Sequence, residues 1–273
     1  MKDIKAITCD VDGTLLTNAG VVDEKTVASI KKARQKGYLF GIATGREPLS
    51  VKDQLKTWGL EGQVDFIVGS GGSELCDLKL DKDEYNYPLD GELIKEIMHH
   101  YQKLPVNFAI PYQGLLYAPK EDKLIKMLAR EDKIPYKVVD FDEFLKEPKP
   151  KVMIVCDPKD MPKIVEHGKS FSNPKYKSAA LITASILYEY VDPRVSKTFG
   201  LQKVLSWHNL TLENLCAFGD ADNDHDMIQN AKIGVVMANG SDLTKSVADF
   251  ITDDNEHAGI ANYLENEFLA DNN

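Results

Sequence analysis

Two short acidic clusters hold the residues of this chain best suited to chemistry. The first, Asp10-Val11-Asp12-Gly13-Thr14, follows directly on the apolar run Ile4–Cys9. Alternation along an extended backbone puts Asp10 and Asp12 on the same side, and Gly13 permits a sharp turn after them. Two carboxylates about 4 Å apart at an effective dielectric of about 20 repel by about 4 kcal/mol, which a divalent cation or a shared proton relieves. The second cluster, Gly219-Asp220-Ala221-Asp222-Asn223-Asp224, follows the apolar run Leu215–Phe218. A single acid at a helix start is an ordinary cap. Four acids within seven residues, Asp220, Asp222, Asp224 and Asp226, exceed that need. Such clustered hard oxygens suit Mg2+, which takes carboxylates together with water and substrate phosphate. The register lacks the loop glycine and closing glutamate of an EF-hand, so that calcium motif is excluded.

Two further pieces could handle a phosphate. Thr44-Gly45-Arg46 ends the apolar run Tyr38–Ala43, and a hydroxyl with exposed backbone N–H groups at a strand-to-helix turn makes a phosphate cradle. Arg46 could clamp phosphate or pair with an acid of the middle region. Lys197, at the start of a helical stretch, supplies a cation to offset an aspartate and a phosphate dianion.

The elements that must position these residues alternate short apolar runs with amphipathic stretches, the mark of βαβ units and a parallel sheet. Strands are expected at Ile4–Cys9, Tyr38–Ala43 and Phe66–Val68, the last leading into a glycine-rich turn at Gly69–Gly72. Between them lie a helix capped by Asp23 and ended by Gly37, and a second from about Pro48 to Trp58. The pattern returns after residue 193: helix Ser196–Trp207, strand Leu215–Phe218, helix Asn223–Ala231, strand Ile233–Met237, a helix near Asp242–Val247, strand Phe250–Thr252 and helix Gly259–Phe268. In an open α/β sheet ligands bind outside the carboxyl ends of the strands, where both acidic clusters and Thr44 fall. The middle differs, with repeated prolines between short strand and helix candidates. It reads as an α+β domain inserted into a discontinuous α/β, Rossmann-like core. The expected division is core 1–81, inserted domain 82–192 and core 193–273.

At 273 residues with a formal net charge of -10, the chain can bury a large core but repels polyanions, which disfavours nucleic acid and anionic lipid as partners. A small phosphorylated metabolite stays compatible if local cations overcome that field. No apolar run is long enough to span a bilayer, and Met1–Lys5 runs straight into a strand, so no signal peptide is expected. Cys9, Cys76, Cys156 and Cys216 are scattered without CxxC spacing; buried reduced thiols in a cytoplasmic protein are expected.

Taken in order, DxDGT at Asp10–Thr14, Thr44, Lys197 and GDxxND at Gly219–Asp224 resemble the haloacid dehalogenase superfamily. Ala43-Thr44-Gly45-Arg46 and the tail Asn255…Gly259-Ile260-Ala261 resemble its Cof-like branch of sugar phosphatases. An insertion after Thr44 and before Lys197 resembles a C2-type cap of the C2B form. The resemblance implies that Asp10 is a nucleophile forming an aspartyl-phosphate, with Asp12 as general acid and base. It implies Mg2+ held by Asp10, the Asp12 backbone carbonyl and Asp220, with Asp224 bound through water or supporting from behind. It further implies that Thr44, Asn223 and Lys197 bind the transferring phosphoryl oxygens. Three places depart from the family pattern: Ser70-Gly71-Gly72 where Asn-Gly-Ala is frequent, Lys197-Thr198 where Lys-Gly is, and Ala238-Asn239-Gly240 where Gly-Asn-Ala is.

The reading is thus a Mg2+-dependent phosphomonoester hydrolase for small phosphorylated metabolites such as sugar phosphates. A phosphomutase on hexose phosphates, a receiver-type phosphoacceptor and a non-catalytic phosphometabolite sensor are the alternatives. In the inserted domain Tyr112, Gln113 and Arg130 are polar or aromatic candidates that read more simply as surface residues. His225 could tune the acidic cluster, and His99, His100, His167, His208 and His257 read as surface residues.

Overall fold

The computed structural model describes residues 3–270; Met1 and Lys2, on which the expectation of no leader partly rests, lie outside the described residues. The described chain up to Glu84 and from Ser196 onward forms one compact unit, and Tyr85–Val195 forms a second.

The core unit starts with strand β1 (Ala6–Cys9), helix α1 (Glu24–Gln35), β2 (Leu39–Ala43), α2 (Pro48–Gln54), β3 (Phe66–Gly69), β4 (Glu74–Asp77) and β5 (Lys82–Tyr85). Asp23 caps α1 as its side chain accepts from the Lys25 and Thr26 N–H groups. The inserted unit comprises α3 (Gly91–Tyr101), β6 (Val106–Tyr112), β7 (Leu115–Ala118), α4 (Lys123–Glu131), β8 (Tyr136–Val138), α5 (Phe141–Phe144), β9 (Val152–Cys156), α6 (Met161–Gly168), β10 (Ala179–Ala184) and β11 (Leu187–Val191). The core resumes with α7 (Lys197–Trp207), β12 (Leu215–Gly219), α8 (His225–Asn230), β13 (Ile233–Met237), α9 (Asp242–Lys245), β14 (Phe250–Thr252) and α10 (Gly259–Glu267).

The core sheet runs β14-β13-β12-β1-β2-β3-β4-β5. It is parallel from β14 to β3. Its central strands are buried on both faces, which is why they read as nearly unbroken apolar runs. On one face Ile7, Phe40, Ile42 and Phe218 pack with Ile30 of α1 and Leu264 of α10. On the other, Ala6, Ala43, Val68 and Ala217 pack with Leu201, Val204 and Leu205 of α7 and Ile228 of α8. Beyond β3 the sheet turns antiparallel, with Phe66 opposite Asp77. Strands β4 and β5 carry Glu74, Asp77, Lys82, Asp83 and Glu84, and so many charges hide their alternation from the sequence. Because β5 is the sheet's edge strand, the core unit runs to Glu84 rather than ending at 81, and it resumes at Ser196 rather than at 193.

The inserted unit is built on a second sheet in the order β10-β11-β9-β6-β7-β8, antiparallel except where β7 meets β8. Leu93, Ile97 and Tyr101 of α3 and Ile164 of α6 cover one face through Phe108, Ile154 and Tyr190. Ile125, Leu128 and Ala129 of α4 pack on Leu116, Met153 and Val155 of the other.

The four thiols are free and buried, and burial pushes each above its ordinary pKa, disfavouring the reactive thiolate. Three histidines differ from the surface expectation. His208 is nearly buried and pairs with Asp77 at 2.5 Å. His100 and His167 stack at 4.1 Å between ring centroids, each bonded through Nε2 to the other's backbone carbonyl. The first pair joins the end of α7 to the end of β4 and the second the ends of α3 and α6, elements distant in sequence that no local pattern links. Gln113 and Arg130 are exposed, whereas Tyr112 lies under the buried Lys149 ammonium at 4.8 Å.

Gly41 sits opposite Phe66, and a Cβ there would fall 2.0 Å from the phenyl ring. Gly41→Ala is expected to destabilise the fold by about 1–3 kcal/mol, read as a lower urea midpoint. An unchanged midpoint would contradict this packing.

Candidate active site

From β1 the chain proceeds to β2 and β3 on one side, whereas β12 on its other flank continues to β13 and β14. The sheet therefore reverses its winding between β1 and β12, the place where doubly wound sheets open a crevice at the strand ends. The Asp10 N–H donates to Phe218 O at 3.0 Å, carrying the ladder one residue past β1. Asp10 and the turn after β12 thus enter the crevice side by side.

A third element supplies the cation. Ser196 caps α7 by accepting from the Phe199 N–H. Beneath it, Gly72 has φ +112, and a Cβ there would come within 2.0 Å of Ser196 O. Only glycine lets the turn after β3 support the helix start so closely. The first residue of α7, Lys197, is buried and donates through Nζ to Asp10 Oδ1 and Asp224 Oδ1, each at 2.6 Å. Burial disfavours its charged form, but the charges of Asp10 and Asp224 outweigh that and hold the ammonium above its ordinary pKa. For Asp10, burial pushes the carboxyl well above the usual range; Lys197 opposes this, while Asp224, Asp220 and Asp12 reinforce it.

The turn after β12 is folded by its own acids. Asp224 Oδ2 accepts from the N–H groups of Asp220 and Ala221, each at 3.0 Å. A Cβ on Gly219 would lie 2.6 Å from Asp224 Cβ. Asp220 Oδ1 accepts from Thr14 Oγ1 at 2.6 Å, and Gly13, with φ +83, leaves room for its Oδ2 where a Cβ would be 2.4 Å away. Burial pushes the Asp220 pKa up to about 6, opposed by the Thr14 bond and reinforced by Asp224. Carboxylate oxygens of Asp10, Asp220 and Asp224 lie within 4.8 Å of one another. Three hard oxygens at that spacing, two of them on carboxyls that burial makes reluctant to ionise, fit a divalent cation. Asp222 and Asp226 face solvent instead.

Asp12 has different surroundings from Asp10. Leu15 and Leu16 both donate to Val11 O, closing a turn that ends the extended geometry. The Asp12 side chain is 59% exposed and is bound bidentately by Arg46, Nε to Oδ2 at 2.8 Å and Nη2 to Oδ1 at 2.7 Å. Thr44 is buried at the end of β2, its Oγ1 accepting from the Arg46 N–H at 3.1 Å. Gly45 between them has open space where a Cβ would stand. Asn223 Oδ1 is buried without a hydrogen-bond partner. His225 is the first residue of α8, directly after Asp224.

The family model for a haloacid dehalogenase-like hydrolase matches residues 7–264 of this chain. The chain belongs to that family. It is 26% identical over 263 residues to the 5-amino-6-(5-phospho-D-ribitylamino)uracil phosphatase YitU of Bacillus subtilis, covering 96% of this chain and 97% of that protein. Its fold resembles that of a haloacid dehalogenase-like hydrolase from Bacteroides thetaiotaomicron, with a TM-score of 0.87 at 22% identity, covering 97% of this chain and 100% of that one. It also resembles the HAD subclass IIB sugar phosphatase BT4131, with a TM-score of 0.81 at 19% identity over 96% and 98% of the two chains. This haloacid dehalogenase-like hydrolase is an enzyme of the phosphatase class. Among the described residues, no helix is long and apolar enough to cross a membrane.

Several side chains that brace the hydrolase's site give no local sequence signal. Asn239 Nδ2 donates to Gly13 O at 2.8 Å, and Asn255 Nδ2 to Leu16 O at 2.8 Å, holding the loop after β1 from two sides. Thr244 Oγ1 donates to Ala221 O at 2.8 Å, and the Ser241 N–H to Asp220 O at 2.8 Å.

The raised pKa of Asp220 yields a prediction for the metal-free enzyme. The folded state holds this proton more tightly than the unfolded chain, so wild-type stability falls as pH rises from about 4 to about 6. Asp220→Asn removes that loss and still accepts from Thr14. Its urea midpoint, relative to wild type, is expected to rise across that window and level off above it. A gap that does not vary with pH would contradict the assignment.

Proposed function

We propose that this enzyme is a Mg2+-dependent phosphomonoester hydrolase acting on small phosphorylated metabolites through an aspartyl-phosphate on Asp10. The observation that carries this reading is a buried Asp10 held by Lys197 beside Asp220 and Asp224. An Asp10 oxygen attacks phosphorus in line as the bond to the substrate alkoxide breaks. Asp12 gives its proton to that alkoxide, then takes one from the water that attacks phosphorus and frees Asp10. The contrast in burial supports the two roles. Asp10 is sheltered and fixed by a cation, whereas Asp12 is open to water with which it can exchange protons, and Arg46 orients it.

A Mg2+ held by Asp10, Asp220 and the Asp12 backbone carbonyl would screen the repulsion between carboxylate and phosphate. Both oxygens of Asp224 already accept hydrogen bonds, which supports a place behind the cation, bracing Asp220 and Lys197. Lys197, Thr44 with the Gly45 turn, and Asn223 would bind the phosphoryl oxygens. In this reading Arg46 acts on phosphate only indirectly, by orienting Asp12.

For the substrate we favour a primary phosphate ester of a small sugar or polyol. BT4131 is described as a sugar phosphatase and YitU as acting on a phosphoribityl compound, and both leaving groups are polyhydroxy alcohols. The net charge of -10 supports a small metabolite over nucleic acid or an anionic membrane, and the buried thiols support a reducing, cytoplasmic setting.

A panel of phosphorylated sugars, polyols, pyridoxal phosphate and flavin mononucleotide tests the reading. Phosphate release with Mg2+ that EDTA abolishes is expected, and isomerised sugar phosphate without release would favour a mutase. Asp10→Asn should lower turnover by at least about a thousandfold without lowering the urea midpoint, because Lys197 keeps Asp224. Substantial activity in that variant would remove Asp10 as nucleophile.

A further inference from the structure

The loop after β1 carries the proposed acid, Asp12, and its apolar and polar groups are held separately. Val11, Leu15 and Leu16 are buried in the core, which keeps the loop on the sheet. Hydrogen bonds fix its backbone. Leu16 bridges to Asp12 in a parallel sense and to Val22 in an antiparallel one. The carbonyls of Gly13 and Leu16 accept from Asn239 Nδ2 and Asn255 Nδ2, each at 2.8 Å. The two asparagines are also joined, since the Asn255 N–H donates to Asn239 Oδ1 at 3.3 Å.

Asn255 thus reaches both carbonyls, one directly and one through Asn239. It is 7% exposed, so water does not readily replace it as a donor to Leu16. Its own backbone is fixed as well. Asp254 caps the short turn Asn255–His257 by accepting from the Glu256 N–H at 3.0 Å. The turn ends at Ala258 with φ +54, a left-handed conformation that a residue with a Cβ adopts at a cost. The Gly259 N–H donates to Asp254 O at 3.1 Å and Thr252 Oγ1 to Gly259 O at 2.7 Å, which hold that strained link in place. Glu256, next in the same turn, accepts from the Asn18 N–H. One fixed segment therefore grips both the loop and its continuation.

We infer that Asn255, working with Asn239, is a positioning residue for proton transfer, holding the Asp12–Gly13 backbone where the Asp12 carboxyl meets the departing alkoxide. The inference rests on the phosphatase reading above and on Asp12 as its acid. In that step the bond from phosphorus to the alkoxide oxygen breaks as the Asp12 proton moves to that oxygen, which requires hydrogen-bond reach between the two groups. Arg46 fixes the carboxyl end of Asp12, and the asparagines fix its main chain. Apolar packing alone leaves the loop folded but its carbonyls free to tilt.

Leaving groups separate this role from a merely structural one. An alkoxide needs the proton, whereas p-nitrophenolate departs without it, and kcat/KM reads the steps up to loss of the leaving group. The quantity to measure, with Mg2+ present, is a ratio of two kcat/KM values: that for the best-hydrolysed primary alkyl phosphate of the panel above over that for p-nitrophenyl phosphate. Asp12→Asn should lower this ratio by at least about a hundredfold, and Asn255→Ala by about tenfold. Asn239 is exposed, so Asn239→Ala should fold like wild type and lower the ratio by about threefold; it decides the question if Asn255→Ala does not fold. A loosened fold would slow both esters alike. An unchanged ratio in folded Asn255→Ala, or in Asn239→Ala, beside a lowered one in Asp12→Asn would overturn the inference and leave the phosphatase reading standing. An unchanged ratio in Asp12→Asn would remove Asp12 as the acid, and the inference with it. No phosphate release from any ester by wild type would overturn the phosphatase reading itself.

Discussion

The ion triad of Asp10, Lys197 and Asp224 is the constraint to which the rest of the core answers. Three buried charges are stable only in good geometry, with every remaining lone pair and proton occupied. Here one ammonium meets two carboxylates at 2.6 Å, and the second oxygen of Asp224 is taken by two backbone N–H groups. Asp10 and Lys197 are 187 residues apart in sequence, so β1, β12 and the start of α7 must converge for the triad to exist. The close approaches at Gly13, Gly72 and Gly219 serve that convergence, each where a Cβ would collide with a residue of the site or the element carrying it.

The triad also separates the two aspartates of the first motif. Asp10 is buried against a cation that cannot leave; Asp12 is exposed, held by the largely covered Arg46 guanidinium. Two chemically identical carboxyls thereby acquire different surroundings, which suits the two roles proposed for them. Burial that raises the Asp10 pKa works against a nucleophile, which must be ionised. The Lys197 charge opposes that burial, and a divalent cation among the three acids would oppose it further.

Much of this was legible in the sequence because the strands buried on both faces announce themselves as apolar runs, each followed at once by a chemistry-bearing residue: Cys9 by Asp10, Ala43 by Thr44. What stayed hidden has physical reasons. β4 and β5 are charged, and β4 pairs antiparallel with β3, so neither periodicity nor composition marked them. The helix expected from Pro48 to Trp58 is helical only to Gln54, before Leu55, Trp58 and Leu60 pack into the core. Alternation pairs Asp10 with Asp12 but gives no sign that one is buried on Lys197 and the other exposed on Arg46. Of the four clustered acids, the folded turn gathers Asp220 and Asp224 near Asp10 and leaves Asp222 and Asp226 to solvent. Long-range braces such as Asn239 to Gly13 and Asn255 to Leu16 join residues more than two hundred positions apart, beyond any local pattern.

The central claim is that the phosphoryl group passes through Asp10. Its most direct test is a rapid acid quench during turnover of a substrate labelled in the phosphoryl group, followed by peptide mapping of the denatured protein. The account predicts acid-stable label, lost in neutral hydroxylamine as expected of an acyl phosphate, on the peptide containing Asp10. Turnover with label on another residue would contradict it, as would single-turnover hydrolysis whose stereochemistry at phosphorus is inverted, the mark of direct attack by water.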